Sequence, residues 1–330
     1  MAASTKSATW SYNAPICSKR CSFEWLLEPT GNQDSQIRLV LSGLIALLIS
    51  LSPSAEARPL VLHSSAMSVS REQIYAPERK SLNKLDVYSP RAGSLYPVVI
   101  FLHGGKFSFG DKTSSVFNKP FAFTSRGFVF ISVDYRLSPA AKYPTHVQDV
   151  AESISWVHKN IRRYRGDPDR IYVMGHSAGA QLAALVATDD QFLAKHGLHL
   201  SCLKGAILLD GGTYNLAATA RSSSRHDLLK SVFGLDPNTW WQASPIKHVG
   251  PGKIIPPFLI VYVPNRVDAA AQALAFNNAL RSAGVLSILK ATVGKTHATL
   301  NEDLGLPKDR PTESVFAFLH KVSNRSERDN

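Results

Sequence analysis

The sequence predicts an α/β fold, with a mainly parallel central sheet, helices on both faces and a small cap. Three observations carry this. Short, continuously apolar runs such as residues 98–102 (VVIFL) and 128–133 (FVFISV) alternate with helical segments. Unbroken apolar strands belong to a sheet covered on both faces, since parallel strands have no solvated side. The chain of 330 residues is also 44% hydrophobic and 19% charged, which suffices for one full core.

Taken in chain order, residues 72–75 and 84–88 read as short strands and residues 98–102 as a buried strand ending in His103-Gly104-Gly105. A helix is expected over 116–125, closing at Gly127, followed by a strand over 128–133. Pro144 opens a long amphipathic helix whose apolar positions Val147, Val150, Ile154, Val157 and Ile161 recur at spacings of three and four. A strand over 171–174 leads into a small-residue helix over 180–187. Further strands are expected over 206–209, 258–263 and 286–291, with a helix over 267–282 that stops at Gly284. Residues 214–250 fit this rhythm less well and are read as an inserted cap.

Residues 1–57 are expected to lie outside this domain, which takes 58–330. Residues 39–51 (LVLSGLIALLISL) follow Arg38, are broken by Ser52-Pro53-Ser54 and lead to Ala55-Glu56-Ala57, an A-x-A cleavage pattern. This outlines a secretory signal and a mature chain beginning at Arg58, either secreted or periplasmic. The run is short for a membrane span, which needs about 20 residues; a retained signal anchor is the competing reading. Residues 1–37 are long for an n-region and carry Glu24, Glu28 and Asp34, as a start site assigned too far upstream or a separate extension would explain. Cys17 and Cys21 precede the cleavage pattern, leaving Cys202 as a small hydrophobe.

The net charge is +12, yet the basic residues are scattered. The densest cluster, Arg162, Arg163 and Arg165, falls at a helix end and complements its dipole. No nucleic-acid reading motif accompanies the charge, no metal-ligand spacing stands out and no phosphate-binding glycine loop appears. The chain is therefore expected to need no cofactor and to bind no nucleic acid.

The chemistry centres on Gly175-His176-Ser177-Ala178-Gly179. A strand precedes this G-x-S-x-G and a helix follows it, so Ser177 sits on a sharp turn with its hydroxyl exposed at the carboxyl end of the sheet. Serine needs a base within hydrogen-bond reach and a third group to orient that base. His297, in the loop after the last strand, is the best-placed base; His248 and His320 read as surface residues. Asp268, just beyond strand 258–263, is the expected acid. Its alternative role is to stabilise a helix start, and Asp210, at the end of strand 206–209, is its competitor. His103-Gly104-Gly105-Lys106 follows a buried strand, and its glycines let backbone approach a substrate. The N–H groups of Gly105, Lys106 and Ala178 are the expected oxyanion donors. Asp149 and Asp167 read as structural, and Trp240 and Trp241 either line an aryl pocket or anchor the cap.

HGGKFSFGDK, DYRLSP, GDPDRIYVMGHSAGAQLAAL, ASPIKHV and GKTHATLNEDLG together resemble the α/β-hydrolase-fold esterases of the bacterial feruloyl-esterase-like and hormone-sensitive-lipase-like group. Kynurenine formamidase is a near relative of that group. The resemblance covers roughly residues 70–322 and implies Ser177 as nucleophile, His297 as base and Gly105 in the oxyanion loop. It also implies a small-molecule ester substrate, while removal of the expected signal would leave no stable membrane association. Two departures stand out: Lys106 replaces a third loop glycine, and 263–268 (VPNRVD) lacks the G-x-x-D spacing usual for the acid. The expected activity is carboxylic ester hydrolysis. An amide-cleaving relative, an arylformamidase or a peptidase, is the enzymatic alternative, and a hydrolase fold retained for binding is the alternative of another class.

Overall fold

The computed structural model describes residues 67–79, 83–220 and 226–326. The expected signal and cleavage pattern, Arg58 and both early cysteines lie outside these residues. In chain order the elements are β1 (Met67–Ile74), β2 (Lys84–Pro90), β3 (Tyr96–Leu102), α1 (Lys119–Thr124), β4 (Val129–Val133), α2 (Thr145–Asn160), β5 (Gly166–His176) and α3 (Ala178–Val186). There follow α4 (Asp190–Ala194), β6 (Leu203–Leu209), α5 (Leu216–Thr219), α6 (His226–Phe233), α7 (Pro237–Gln242), β7 (Phe258–Tyr262), α8 (Val267–Ser282), β8 (Ser287–Ala291), α9 (His297–Glu302) and α10 (Arg310–Ser326).

The eight strands form one sheet in the order β1-β2-β4-β3-β5-β6-β7-β8. The β1–β2 and β2–β4 pairs are antiparallel and every later pair is parallel. This is the α/β-hydrolase fold. Alternation within one strand shows how the layers are built. Val98, Ile100 and Leu102 of β3 belong to one core cluster, with Val147, Val150 and Ile154 of α2 and Phe276 and Leu280 of α8. Val99 and Phe101 point to the other, against Phe123 of α1 and Val315, Phe318 and Leu319 of α10. Residues 98–102 are fully buried, and each such side chain stabilises the fold by about 1.5–3 kcal/mol.

Register decides what meets at the carboxyl edge. His176 of β5 lies opposite Leu209 of β6, and Leu209 opposite Val261 of β7. The next residues, Ser177 and Asp210, therefore leave the sheet side by side. The Ser177 N–H donates to the Leu209 carbonyl at 2.9 Å, and the Asp210 N–H to the Val261 carbonyl at 2.7 Å.

The described residues of 214–250 carry short helices rather than a strand. They are tied down on the side of the sheet that carries α2: Leu216, Leu229, Val232 and Phe233 are buried, and Phe233 packs edge-on to Phe107, with centroids 5.5 Å apart. The Trp240 indole N–H donates to the Gly234 carbonyl at 2.9 Å, whereas Trp241 is exposed. Asp149 is buried and accepts from both the backbone and the guanidinium of Arg136, and Asp167 pairs with Arg170. Cys202 is half-buried, and burial pushes its thiol up to about 11. Among the described residues no helix is long and apolar enough to cross a membrane.

Candidate active site

β5 runs into Ser177 at φ 55°, ψ −113°, a conformation L-residues rarely adopt, and α3 starts at the next residue. Gly175 and Gly179 permit this turn: a Cβ on Gly175 would strike the Gly179 carbonyl, and one on Gly179 the backbone of Leu102 and His103. The Ser177 hydroxyl is held up at the sheet edge, where His297 Nε2 lies 2.9 Å from Oγ.

His297 is not in a loop, as the sequence suggested, but is the first residue of α9. Thr296 caps that helix in a reciprocal box with Thr299. Two further groups steady it. His176, the variable residue of the G-x-S-x-G, is buried; burial, aided by the nearby His297, holds its imidazole down to about 3. Being neutral, its ring donates from Nε2 to the His297 carbonyl at 2.9 Å and packs 4.6 Å from the His297 ring. Lys119 is fully buried; its ammonium donates to the Ser115 and Asn301 carbonyls at 2.8 and 2.7 Å, tying α1 to α9, and burial pulls it down to about 7. Sequence reasoning missed both roles. His176 lay inside the motif that was read for its serine alone, and Lys119 inside an otherwise apolar helix.

The carboxylate on His297 is that of Asp210, not Asp268. Asp210 Oδ2 lies 2.6 Å from Nδ1. Asp210 itself is buried at a positive φ of 50°, and its Oδ1 accepts the Val263 N–H at 3.1 Å. Burial alone would raise this carboxyl, but the hydrogen bonds from His297 and Val263 and the Arg266 cation hold it below the usual carboxylate range. Asp268 corrects the sequence expectation for a geometric reason. The chain leaves β7 through a turn closed by the Arg266 N–H on the Val263 carbonyl, at 3.2 Å, and enters α8. The buried stripe of α8 is Ala269, Ala273, Phe276 and Leu280. Asp268 lies off that stripe, exposed in the first turn, where it suits the positive end of the helix dipole. The side chain sent into the site from this turn is Arg266, whose Nη1 contacts Asp210 Oδ2 and lies 2.8 Å from His297 Nδ1. The irregular 263–268 spacing was the signal available in the sequence.

Over Ser177 lies the loop after β3. A Cβ on Gly104 would sit 2.8 Å from His176 Nδ1 and 3.2 Å from the Ser177 Cβ, so glycine lets the backbone come this close without displacing the buried His176 ring. Gly105 has φ 121°, and its carbonyl accepts from the Ser108 and Phe109 N–H groups at 2.9 and 3.0 Å. Lys106 adopts the left-handed conformation at φ 53°. The loop is propped from beneath by Tyr135, which stacks 4.4 Å from the His103 ring and donates to the His103 carbonyl at 2.8 Å. Gly105 and Lys106 face a cleft of about 520 Å³ that also reaches Ser177, His297, Phe109 and Phe117. Ala178 begins α3, so its N–H belongs to the first turn, which has no intrahelical acceptor. Among the described residues of 214–250 none lines this cleft, neither Trp240 nor Trp241. Among the described residues no group of three or more His, Cys, Asp or Glu side chains could hold a metal ion.

The chain is similar to esterase LipQ of Mycobacterium tuberculosis, 29% identical over 242 residues that cover 71% of this chain and 57% of the relative. It is likewise similar to the isoprenylcysteine alpha-carbonyl methylesterase ICME of Arabidopsis thaliana, 29% identical over 274 residues, 78% of this chain and 63% of that protein. The aligned part thus spans less than two thirds of the length of these relatives. Among solved structures, esterase B of Lactobacillus rhamnosis inhibited by a tributyrin phosphonate superposes with a TM-score of 0.68 at 18% identity, covering 80% of this chain and 89% of that one. Thermogutta terrifontis esterase 2 phosphonylated by sarin does so with a TM-score of 0.66 at 23% identity, covering 79% and 96%. The BD-FAE family model matches residues 85–268, more than half of the chain, a stretch that runs from β2 through the β3 loop and the Ser177 elbow to the start of α8: the chain belongs to the BD-FAE family of the α/β-hydrolase fold.

Proposed function

We propose that this chain is a serine carboxylesterase working through Ser177, His297 and Asp210. One observation carries the reading: the continuous path from Ser177 Oγ to His297 Nε2 (2.9 Å) and from Nδ1 to Asp210 Oδ2 (2.6 Å). With Nδ1–H donated to Asp210, Nε2 is the free acceptor that takes the Ser177 proton as Oγ attacks an ester carbonyl. The carbonyl oxygen becomes an anion, for which the N–H groups of Gly105, Lys106 and Ala178 are the donors we assign; one such donor is typically worth about 10²–10³ in turnover. His297, now a cation facing Asp210, returns the proton to the leaving alcohol. Water then repeats the sequence on the acyl-enzyme.

The named relatives support an ester rather than an amide substrate, and two structural neighbours are captured with phosphonates. Phe109 and Phe117, both exposed at the cleft, favour an apolar group beside the scissile bond. The test is a panel of para-nitrophenyl esters of rising chain length, run beside feruloyl esters and N-formylkynurenine. Ester turnover that vanishes in Ser177→Ala supports the reading, and faster cleavage of the formamide than of every ester replaces it with the amide-cleaving one.

Export is part of the same proposal. The apolar run over 39–51 and Ala55-Glu56-Ala57 support removal of the leader, with Arg58 as the first mature residue. Amino-terminal sequencing of protein recovered outside the cytosol tests it; full-length chain in the cytosol refutes it, and uncleaved chain in the membrane fraction favours the signal anchor.

A further inference from the structure

We infer that Arg266 is a positioning residue of the Ser177–His297–Asp210 relay whose fixed cation sets how far into acid the relay keeps working. This rests on the esterase reading above. Arg266 Nη1 contacts Asp210 Oδ2, lies 3.2 Å from the Asp210 carbonyl oxygen and 2.8 Å from His297 Nδ1. Arginine has no proton to lose at any working pH and accepts no hydrogen bond. In the working tautomer Nδ1–H and the guanidinium both donate to the same carboxylate oxygen. The imidazole therefore has a permanent cation at its Nδ1 edge, and protonating it puts two positive charges on one carboxylate.

The remaining charges around the ring do not substitute for this one. Asp210 is the carboxylate hydrogen-bonded to Nδ1. His176, packed on the ring, is held neutral by burial. Lys119 is engaged with the Ser115 and Asn301 carbonyls. Lys106 and Glu302 line the cleft with opposite signs, and Asp268 is exposed on α8. Like charge within contact range disfavours the protonated ring. Since only the unprotonated ring accepts the serine proton, the cation extends activity toward low pH.

A merely structural Arg266, closing the β7–α8 turn against β6, would alter stability or plateau turnover but leave the pH profile in place. The discriminating experiment is therefore the pH dependence of kcat/KM for para-nitrophenyl acetate, measured on the full chain as wild type, Arg266→Met, Arg266→Gln and Arg266→Lys, with Ser177→Ala as the blank. The acid limb reports the free enzyme's base. In Arg266→Met and Arg266→Gln it should move up by about one pH unit; in Arg266→Lys, which keeps a cation, it should stay near the wild-type position. Methionine retains the apolar stem, so the test survives if the glutamine variant does not fold. An acid limb unmoved in either folded neutral variant overturns the inference, as does a lysine variant shifted as far as the methionine one. Ser177→Ala hydrolysing as fast as wild type would instead overturn the esterase reading itself.

Discussion

Replacing Asp210 by Asn should cripple turnover, while the same change at Asp268 should leave it nearly untouched. The two aspartates lie on consecutive strand-to-helix connections, and the structure separates them. Asp210 is buried and holds three donors: His297 Nδ1 at 2.6 Å, the Val263 N–H at 3.1 Å and the Arg266 guanidinium. An Asn side chain has one oxygen to offer. With that oxygen kept on the Val263 N–H in the Oδ1 position, the amide N–H₂ takes the Oδ2 position and faces both His297 Nδ1 and the Arg266 guanidinium. A donor facing Nδ1 forces the proton onto Nε2, where it points at Ser177 and blocks acceptance of the serine proton. The corresponding tautomer error costs roughly 10³–10⁴-fold in kcat, equivalent to about 4–5.5 kcal/mol of barrier. Asp268 is exposed in the first turn of α8. Its substitution removes a charge worth about 0.3–1 kcal/mol to the helix dipole and should alter turnover by no more than about twofold. Steady-state hydrolysis of a nitrophenyl ester, with circular dichroism to confirm folding, measures both. Equal losses in the two variants, or a larger loss at Asp268, would refute the geometry.

Gly105→Ala should cut kcat by at least about 10²-fold, because the added methyl meets the Phe109 carbonyl and displaces the loop amides; in contrast, Lys106→Gly, which relieves a left-handed lysine, should retain activity within a few-fold and not lower Tm. Lys119→Met should lower turnover without touching the triad, since it frees α9 from α1, and a thermal melt beside the assay will show whether stability falls as well. Stability should decline as pH falls from about 6.5 to about 4: burial lowers His146 to about 4 and His176 to about 3, so the unfolded chain takes up protons that the folded chain refuses. Asp134, raised by burial to about 6, opposes this with one group, and His146→Asn should flatten the slope of Tm against pH.

Elements held by local pattern were legible in the sequence. The 267–282 helix before Gly284 coincides with α8, and the unbroken apolar runs became buried strands because both sheet faces are covered. The Ser177 elbow was readable because strand, glycine-flanked turn and helix are contiguous in the chain. The acid was not, because its choice is a matter of register. Asp210 reaches His297 only because β6 ends level with β5, a pairing no local pattern encodes. Asp268 fitted the expected chain position equally well, but helical phase turned it to solvent. His297 was placed in a loop because Thr296-His297-Ala298-Thr299 was read without its capping box. Arg266 and Lys119 went unseen for a related reason: a cation's role depends on which carbonyls and carboxylates the fold brings to it.

The central claim, that Ser177 is activated by His297 held on Asp210, is tested most directly by covalent labelling. A fluorophosphonate should add once to the wild-type chain, on the peptide carrying Ser177. The rate of that addition should fall by roughly 10³-fold or more in His297→Ala and in Asp210→Asn, yet stay near wild type in Asp268→Asn. Label on any other residue, or a labelling rate indifferent to His297 and Asp210, would contradict the account.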